Sequence, residues 1–281
     1  MEAANNIKGR YKYVCYGIGK QMIQVMIVTV AGAATRFNKS INRESNVLKC
    51  LYNEGSMRDS LLCRLLHNFE GIDKYIIVGG YYFETLKTAL EIEDCFEKFR
   101  DRIVLVNNPQ YEEYGSGYSL YIGLKEAIKC DFDEIIFAEG DLYIDSVSCE
   151  KISSSDMNIV TTNTEPIYAN KAVALYLDID GRIHYIYDTN HGILEVEEPF
   201  TAILNSGQIW KFADAKRTRE VFYKLSDEHW RGTNLTYIED YFKGLNCNDY
   251  EVVQFGEWIN CNTVEDYRKI RELEDVDEIN Q

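Results

Sequence analysis

Three short stretches combine residue types suited to phosphate and metal chemistry: "AGAATRF" at 31–37, "VLKCLY" around Lys49, and "EGD" at 139–141. Small residues let a backbone approach a ligand closely. Arg36 offers a planar fork for phosphate oxygens and Lys49 a compact point charge. Asp141 offers hard oxygen atoms of the kind that hold a divalent cation. Each stretch also has a plainer reading. The small-residue run reads equally as a tight turn, and Asp141 as a strand-end turn residue or helix cap. The run lacks the Gly-Lys-Ser/Thr of a Walker loop and the glycine spacing of a dinucleotide loop.

What gives these residues weight is where the predicted elements put them. Strands are predicted at 24–30, 74–80, 102–106 and 133–141, where β-branched or apolar runs stop at glycine or polar residues. Between them, helical spacing covers 58–69, 83–99 and 119–130, the last with Ser119 as its N-cap. Alternation of this kind builds a parallel sheet, and such sheets bind ligands at the carboxyl ends of their strands. "AGAATRF" and "EGD" both fall there. Beyond residue 150 the pattern changes to strands within 158–164, 172–188 and 202–212, with "DIDG" at 178–181 as a hairpin turn. Helices return at 212–224, 234–244 and 264–273. The expected fold is one α/β domain with a mostly parallel, mixed sheet flanked by helices and an antiparallel insertion in its second half.

Composition narrows the partners. The chain has 281 residues, 46% of them hydrophobic, enough for a sizeable core, and a formal net charge of −16. That charge argues against a nucleic-acid partner. Eight cysteines show no CxxC pair and four histidines no zinc-ligand spacing, which suits reduced thiols in the cytoplasm. Basic residues before the apolar run near the N-terminus have the outline of a signal peptide, but Lys20, Gln21 and Gln24 interrupt it. No stretch is long enough to span a membrane. Residues 1–21 are expected to be an extension preceding a single domain at 22–281, with Met22 or Met26 as an equally sensible start.

The ordered series "TVAGAATRF", "VLKCLYNEG", "GIDKYIIVGGYYFE", "NNPQYEEYGSGYSLYIGLKEA", "FAEGDLYI" and "GEWINCNTVEDYRKIREL" resembles the sugar-nucleotide type of nucleotidylyltransferases across residues 24–273. Its Tyr-Ser-Leu loop and its ending most resemble the bacterial choline-phosphate cytidylyltransferase branch. The resemblance implies a Rossmann-like nucleotidyltransferase fold. It implies transfer of CMP, or another NMP, from an NTP to a small phosphorylated acceptor such as phosphocholine, a phosphonate or a sugar phosphate, with pyrophosphate leaving. Ala31, Gly32, Ala33, Ala34 and Thr35 would wrap the nucleotide, Arg36 and Lys49 would neutralise its phosphates, and Gly117 and Ser119 would lie beside the base. Asp141 and Asn262 would hold Mg2+. Lys171, Tyr187, Asp188 and Asp240 are the acceptor candidates. A homodimer is allowed, and the chemistry would supply cell-surface polysaccharide synthesis from the cytoplasm. The sequence departs from the family at Ala34, where a signature glycine is usual, at Leu48 in place of proline, and at Asn262 in place of aspartate. Two alternatives stay open. A nucleotide-sugar-dependent glycosyltransferase would usually show Asp-x-Asp, and a non-catalytic relative would bind nucleotide without turnover.

Overall fold

The computed structural model describes residues 22–41, 46–169, 173–186 and 194–280. The expected extension at 1–21 lies outside them. From Gln24 to Glu139, strand and helix alternate: β1 (Gln24–Thr29), α1 (Thr35–Ser40), α2 (Leu61–Asn68), β2 (Lys74–Gly79), α3 (Phe83–Ile92), β3 (Ile103–Asn107), α4 (Ser116–Ala127) and β4 (Glu134–Glu139). The second half runs β5 (Leu142–Ile144), α5 (Ser146–Ser154), β6 (Asn158–Asn163), β7 (Ala174–Asp178), β8 (Ile183–Ile186) and β9 (Phe200–Phe212). It finishes with α6 (Ala215–Lys224), α7 (Asp227–Arg231), α8 (Leu235–Phe242), β10 (Tyr250–Gln254), β11 (Trp258–Asn260) and α9 (Val264–Asn280).

Among the described residues nine strands form one sheet, whose main path is β10-β6-β9-β4-β1-β2-β3. β4, β1, β2 and β3 are mutually parallel. β9 runs antiparallel between β4 and β6, and the β7–β8 hairpin pairs with the first half of β9. This is the mixed sheet with an antiparallel insertion that the sequence predicts. β1 shows why its run is apolar without alternation. Val25 and Ile27 pack into the layer with Leu120, Leu124 and Trp210, whereas Met26 and Val28 pack into the layer with Leu62, Leu66 and Phe96. A strand covered on both faces needs hydrophobic residues at every position.

The helices expected over 83–99 and 119–130 have other bounds in the structure, and the last helix, expected over 264–273, runs on to Asn280. The helix predicted over 83–99 stops at Ile92, because Glu93 is extended, and a 3-10 segment follows over Asp94–Arg102. α4 begins at Ser116 rather than at Ser119, which lies within the first turn and caps nothing. The reason is tertiary. The amides of Gly115 and Gly117 donate to the carbonyls of Arg231 (2.8 Å) and Gly232 (3.0 Å). Those carbonyls satisfy the free N–H groups of the helix start, a task that usually falls to a capping side chain. The approach is so close that a Cβ on Gly117 would stand 2.9 Å from the Thr233 carbonyl oxygen.

A smaller antiparallel pair, β5 with β11, lies beyond the end of β4. Asp145 locks it in place. Its carboxylate caps α5 by accepting from Ser148 N (2.7 Å) and Oγ (2.9 Å), and also accepts from the amides of Gly256 (3.1 Å) and Glu257 (3.2 Å) before β11. Burial opposes the ionised form, but these donors outweigh it and hold the carboxyl below its usual range. A lowered acid contributes stability above its unfolded-state value, and that stability is lost as pH falls through the folded value. Asp145→Ala is therefore expected to lose about 2–3 kcal/mol, read as a lower Tm near neutral pH. The deficit should shrink as pH falls through the folded-state value, below the ordinary carboxylate range, where the wild-type carboxyl is also protonated. An unchanged Tm at pH 7 would show that the clamp contributes nothing.

Candidate functional site

The carboxyl ends of β1, β2 and β4 meet side by side. Val30 N donates to Val78 O (2.9 Å), Tyr81 N to Ala31 O (3.0 Å) and Gly140 N to Thr29 O (3.0 Å). A side chain at position 140 could not pass: its Cβ would lie 2.3 Å from Val30 Cγ1. These contacts fix the loop after β1 against "EGD" after β4, and a cavity of about 260 Å³ opens between them. Among the residues bordering it are Ala31, Gly32, Ala34, Lys49, Ser119, Glu139 and Asp141. Nothing crowds the Cα of Gly32, so backbone there faces open space.

Lys49 reaches the cavity through a local device absent from the sequence reading. The Asn38 carboxamide donates to Ala33 O (3.3 Å) and Val47 O (3.2 Å) and accepts from Val47 N (2.7 Å). One side chain thus ties the small-residue loop to the segment that enters the 3-10 turn Lys49–Leu51. Lys49 Nζ lies 2.8 Å from Asp141 Oδ2, a half-buried ion pair. Asp141 Oδ1 is buried and accepts no hydrogen bond among the described residues. Glu139 stands beside them and accepts from Asn234 Nδ2 at 2.7 Å. Burial, followed by the adjacent Asp141 carboxylate, pushes its carboxyl up to about 7, with Asn234 and Lys49 pulling the other way. Glu139 carries no role in the sequence reading, although two acids separated by one glycine at a strand end were a visible signal.

The other predicted residues are placed as follows. Thr35 and Arg36 open α1 on the exposed side, and Arg36 has no ion-pair partner among the described residues. Gly117 packs on residues 230–233 rather than bordering the cavity. Asn262 follows Cys261, whose amide donates to Asp141 O at 2.9 Å, so its backbone lies next to Asp141. Its carboxamide nitrogen donates to Asn260 Oδ1 (3.0 Å). Asp240 pairs with Lys224 (3.2 Å). Lys171, Tyr187 and Asp188 lie outside the described residues. Tyr185, Trp210, Trp230 and Tyr237 are buried core, with Trp210 Nε1 donating to Tyr185 OH at 2.6 Å.

The metal candidates include one strong feature. A buried carboxylate oxygen without a partner is costly unless a cation or donor meets it, and Asp141 Oδ1 is such an atom. Among the described residues no cluster of three or more His, Cys, Asp or Glu could hold a metal. The donor set therefore fits a hard cation that brings most of its oxygen ligands with it, as magnesium does on a nucleotide. No described helix is long and apolar enough to cross a membrane.

Ala34 has φ 51° and ψ 39°, in the left-handed region, where it precedes α1. The glycine usual here in the nucleotidylyltransferases that the sequence resembles has a physical reason, since a Cβ costs roughly 1–2 kcal/mol there. Ala34→Gly is expected to stabilise the chain by about 0.5–1 kcal/mol after the added freedom of the unfolded state is deducted. A Tm that falls in thermal denaturation would contradict this.

A family model described as Domain of unknown function (DUF6564) matches residues 45–274. The chain belongs to the DUF6564 family. The matched span begins after the small-residue loop and includes Lys49, Ser119, Asp141 and Asn262. Among curated proteins there is no sequence match. Solved structures similar to this DUF6564 chain include CTP:phosphocholine cytidylyltransferase (LicC) from Streptococcus pneumoniae, with 17% identity, TM-score 0.56 and coverage of 90% of this chain and 99% of that one. Another is the inositol-1-phosphate CTP transferase from T. maritima, with 15% identity, TM-score 0.58 and 89% and 95% coverage. A third is HddC from Yersinia pseudotuberculosis complexed with GMP-PN, with 15% identity, TM-score 0.55 and 89% and 99% coverage. This DUF6564 chain therefore has the fold of these nucleotidyltransferases over nearly the whole of their length.

Proposed function

We propose that the chain is a nucleotidyltransferase that moves a nucleoside monophosphate, CMP before others, from an NTP to a small phosphorylated acceptor and releases pyrophosphate. The observation that carries this reading is the meeting of Lys49 and Asp141, 2.8 Å apart, on a cavity bordered by a small-residue loop at the strand ends. The similarity in fold to enzymes named for CTP chemistry supports it.

Attack of an acceptor phosphate on the α-phosphorus brings two anions together, so the protein's task is to position them and screen charge. The open backbone at Ala31–Ala34 receives the nucleotide. Lys49 supplies a positive charge to the phosphates from one side, and Arg36, free of an ion pair among the described residues, can close over them. Asp141, with Asn262 next to it, would hold Mg2+, which supplies charge neutralisation of the triphosphate when bound. Glu139, with its carboxyl pushed up to about 7, adds negative potential only so far as it is ionised, and with Asp141 it makes the phosphates need cationic compensation. Lys171, Tyr187, Asp188 and Asp240 remain the acceptor candidates, and the acceptor class rests on the resemblance.

The test is pyrophosphate release with CTP, UTP, GTP and ATP against phosphocholine, phosphonates and sugar phosphates, with and without magnesium. Release is expected to need CTP, magnesium and one acceptor together. CTP binding without release for any acceptor would leave a nucleotide-binding protein, and turnover of a nucleotide sugar instead would make it a glycosyltransferase.

A further inference from the structure

β3 is the last strand on the main path of the sheet, and among the described residues only β2 pairs with it. Asn108, one residue beyond β3, donates its amide N–H to Gly79 O at 2.7 Å. Backbone groups along a strand face alternate sides, so Val104 and Val106 also turn theirs to β2. The N–H and C=O groups of Ile103, Leu105 and Asn107 then point outward from the sheet. An open edge of this kind is usually blunted by charge, proline or a bulge. Ile103–Asn107 has no charged residue and no proline, and its register with β2 is unbroken. Its four apolar residues stay half-buried. Beside it a groove of about 480 Å³ is bordered by Phe83, Lys87, Glu91, Ile103 and Leu105, among others. Lys87 and Glu91 are exposed, one turn apart on α3, and neither has an ion-pair partner among the described residues.

We propose that a second copy of this chain pairs with the β3 edge, antiparallel about a two-fold axis through Leu105, and continues the sheet from one protomer into the other. The symmetry of the edge selects this occupant. Ile103 and Asn107 are spaced evenly on either side of Leu105. A two-fold axis there sets Leu105 opposite the partner's Leu105 and Ile103 opposite the partner's Asn107. Facing residues of this type in an antiparallel pair exchange both hydrogen bonds, so no outward amide or carbonyl is left over. The same axis brings the two grooves edge to edge, with Lys87 toward the partner's Glu91 and Glu91 toward the partner's Lys87. Each protomer thus offers one patch that complements itself, as a two-fold interface requires. Ile103 and Leu105 are covered on the groove face, and Val104 and Val106 on the other. The proposal does not rest on the nucleotidyltransferase reading.

The experiment is sedimentation equilibrium of the full chain from low to high micromolar concentration, with amide hydrogen exchange read by mass spectrometry on the same samples. Wild type is expected to show a reversible monomer–dimer equilibrium. Exchange across Ile103–Asn107 should slow as the dimer fills, because its outward amides gain acceptors. Lys87→Glu sets like charges against each other in both symmetry-related contacts and should weaken the dimer at least about tenfold. Adding Glu91→Lys to Lys87→Glu restores opposite charges across the axis and should recover the affinity. Both residues are exposed, so these variants keep the fold. Leu105→Lys places two ammonium groups opposite each other at the axis and should leave a monomer. If Leu105→Lys does not fold, the two charge variants decide. A wild type that stays monomeric at every concentration overturns the proposal. So does a dimer whose exchange across Ile103–Asn107 matches the monomer's, or one that Lys87→Glu does not weaken.

Discussion

Lys49→Ala is expected to reduce turnover by about 10²–10³-fold, the usual effect of removing one preorganised charge-stabilising group, while the protein stays folded. The side chain is half-buried and its one partner among the described residues is Asp141 Oδ2, 2.8 Å away. Without it the cavity keeps the Asp141 carboxylate and loses the cation that offsets it, while Glu139, whose carboxyl Lys49 pulls down, moves further toward its neutral form. The Asp141 charge then faces a triphosphate unscreened, and the nucleotide is repelled as well as left unactivated. Lys49→Arg keeps the charge but cannot place it identically, since a planar fork replaces a point charge. It should recover only part of the loss. Pyrophosphate release by both variants, alongside their Tm, checks this. Full turnover in a folded Lys49→Ala would remove Lys49 from the chemistry and reduce the ion pair to a structural one.

Lys211→Met is expected to destabilise the chain by about 3–5 kcal/mol, the cost of leaving a buried charge without its partner. For a protein of this size that lowers Tm by on the order of 10 °C. Lys211 lies in β9 and is completely buried, with Nζ 2.7 Å from Glu134 Oε1 at the start of β4. The same ammonium donates to the carbonyls of Ile152 (3.3 Å), Ser153 (3.3 Å) and Ser155 (2.5 Å), at the C-terminal end of α5. It thus ties the antiparallel part of the sheet to the parallel part from the edge opposite the cavity. Among the described residues Glu134 keeps only the Gln24 carboxamide once Lys211 is gone. The paired change Lys211→Met with Glu134→Gln removes both charges and should regain a substantial part of the loss. Thermal or urea unfolding measures both. A single variant as stable as wild type would show that Glu134 is readily neutralised or hydrated in place.

The alternation of strand and helix through β4 was legible in the sequence because each run states its own environment. β1, β2 and β4 are continuous apolar stretches, as strands covered on both faces require, β3 at the sheet edge is an apolar run that stays half-buried, and glycines and acids mark where the sheet ends. The convergence of "AGAATRF" and "EGD" follows from that topology alone, since both lie at carboxyl ends of neighbouring parallel strands. Tertiary structure decided what depends on partners far along the chain. The start of α4 is set by carbonyls 231–232, and Ser119 consequently sits inside the helix with its hydroxyl held by Asn108. Lys211, written in the sequence as one charge in an apolar strand, is intelligible only once Glu134 lies beside it. Asn38 and Asn108 are common polar residues whose types announce nothing. Their roles come from hydrogen bonds to groups that sequence spacing does not reveal, because a polar side chain's partner is chosen by proximity in the folded chain and a hydrophobic run needs only to be buried.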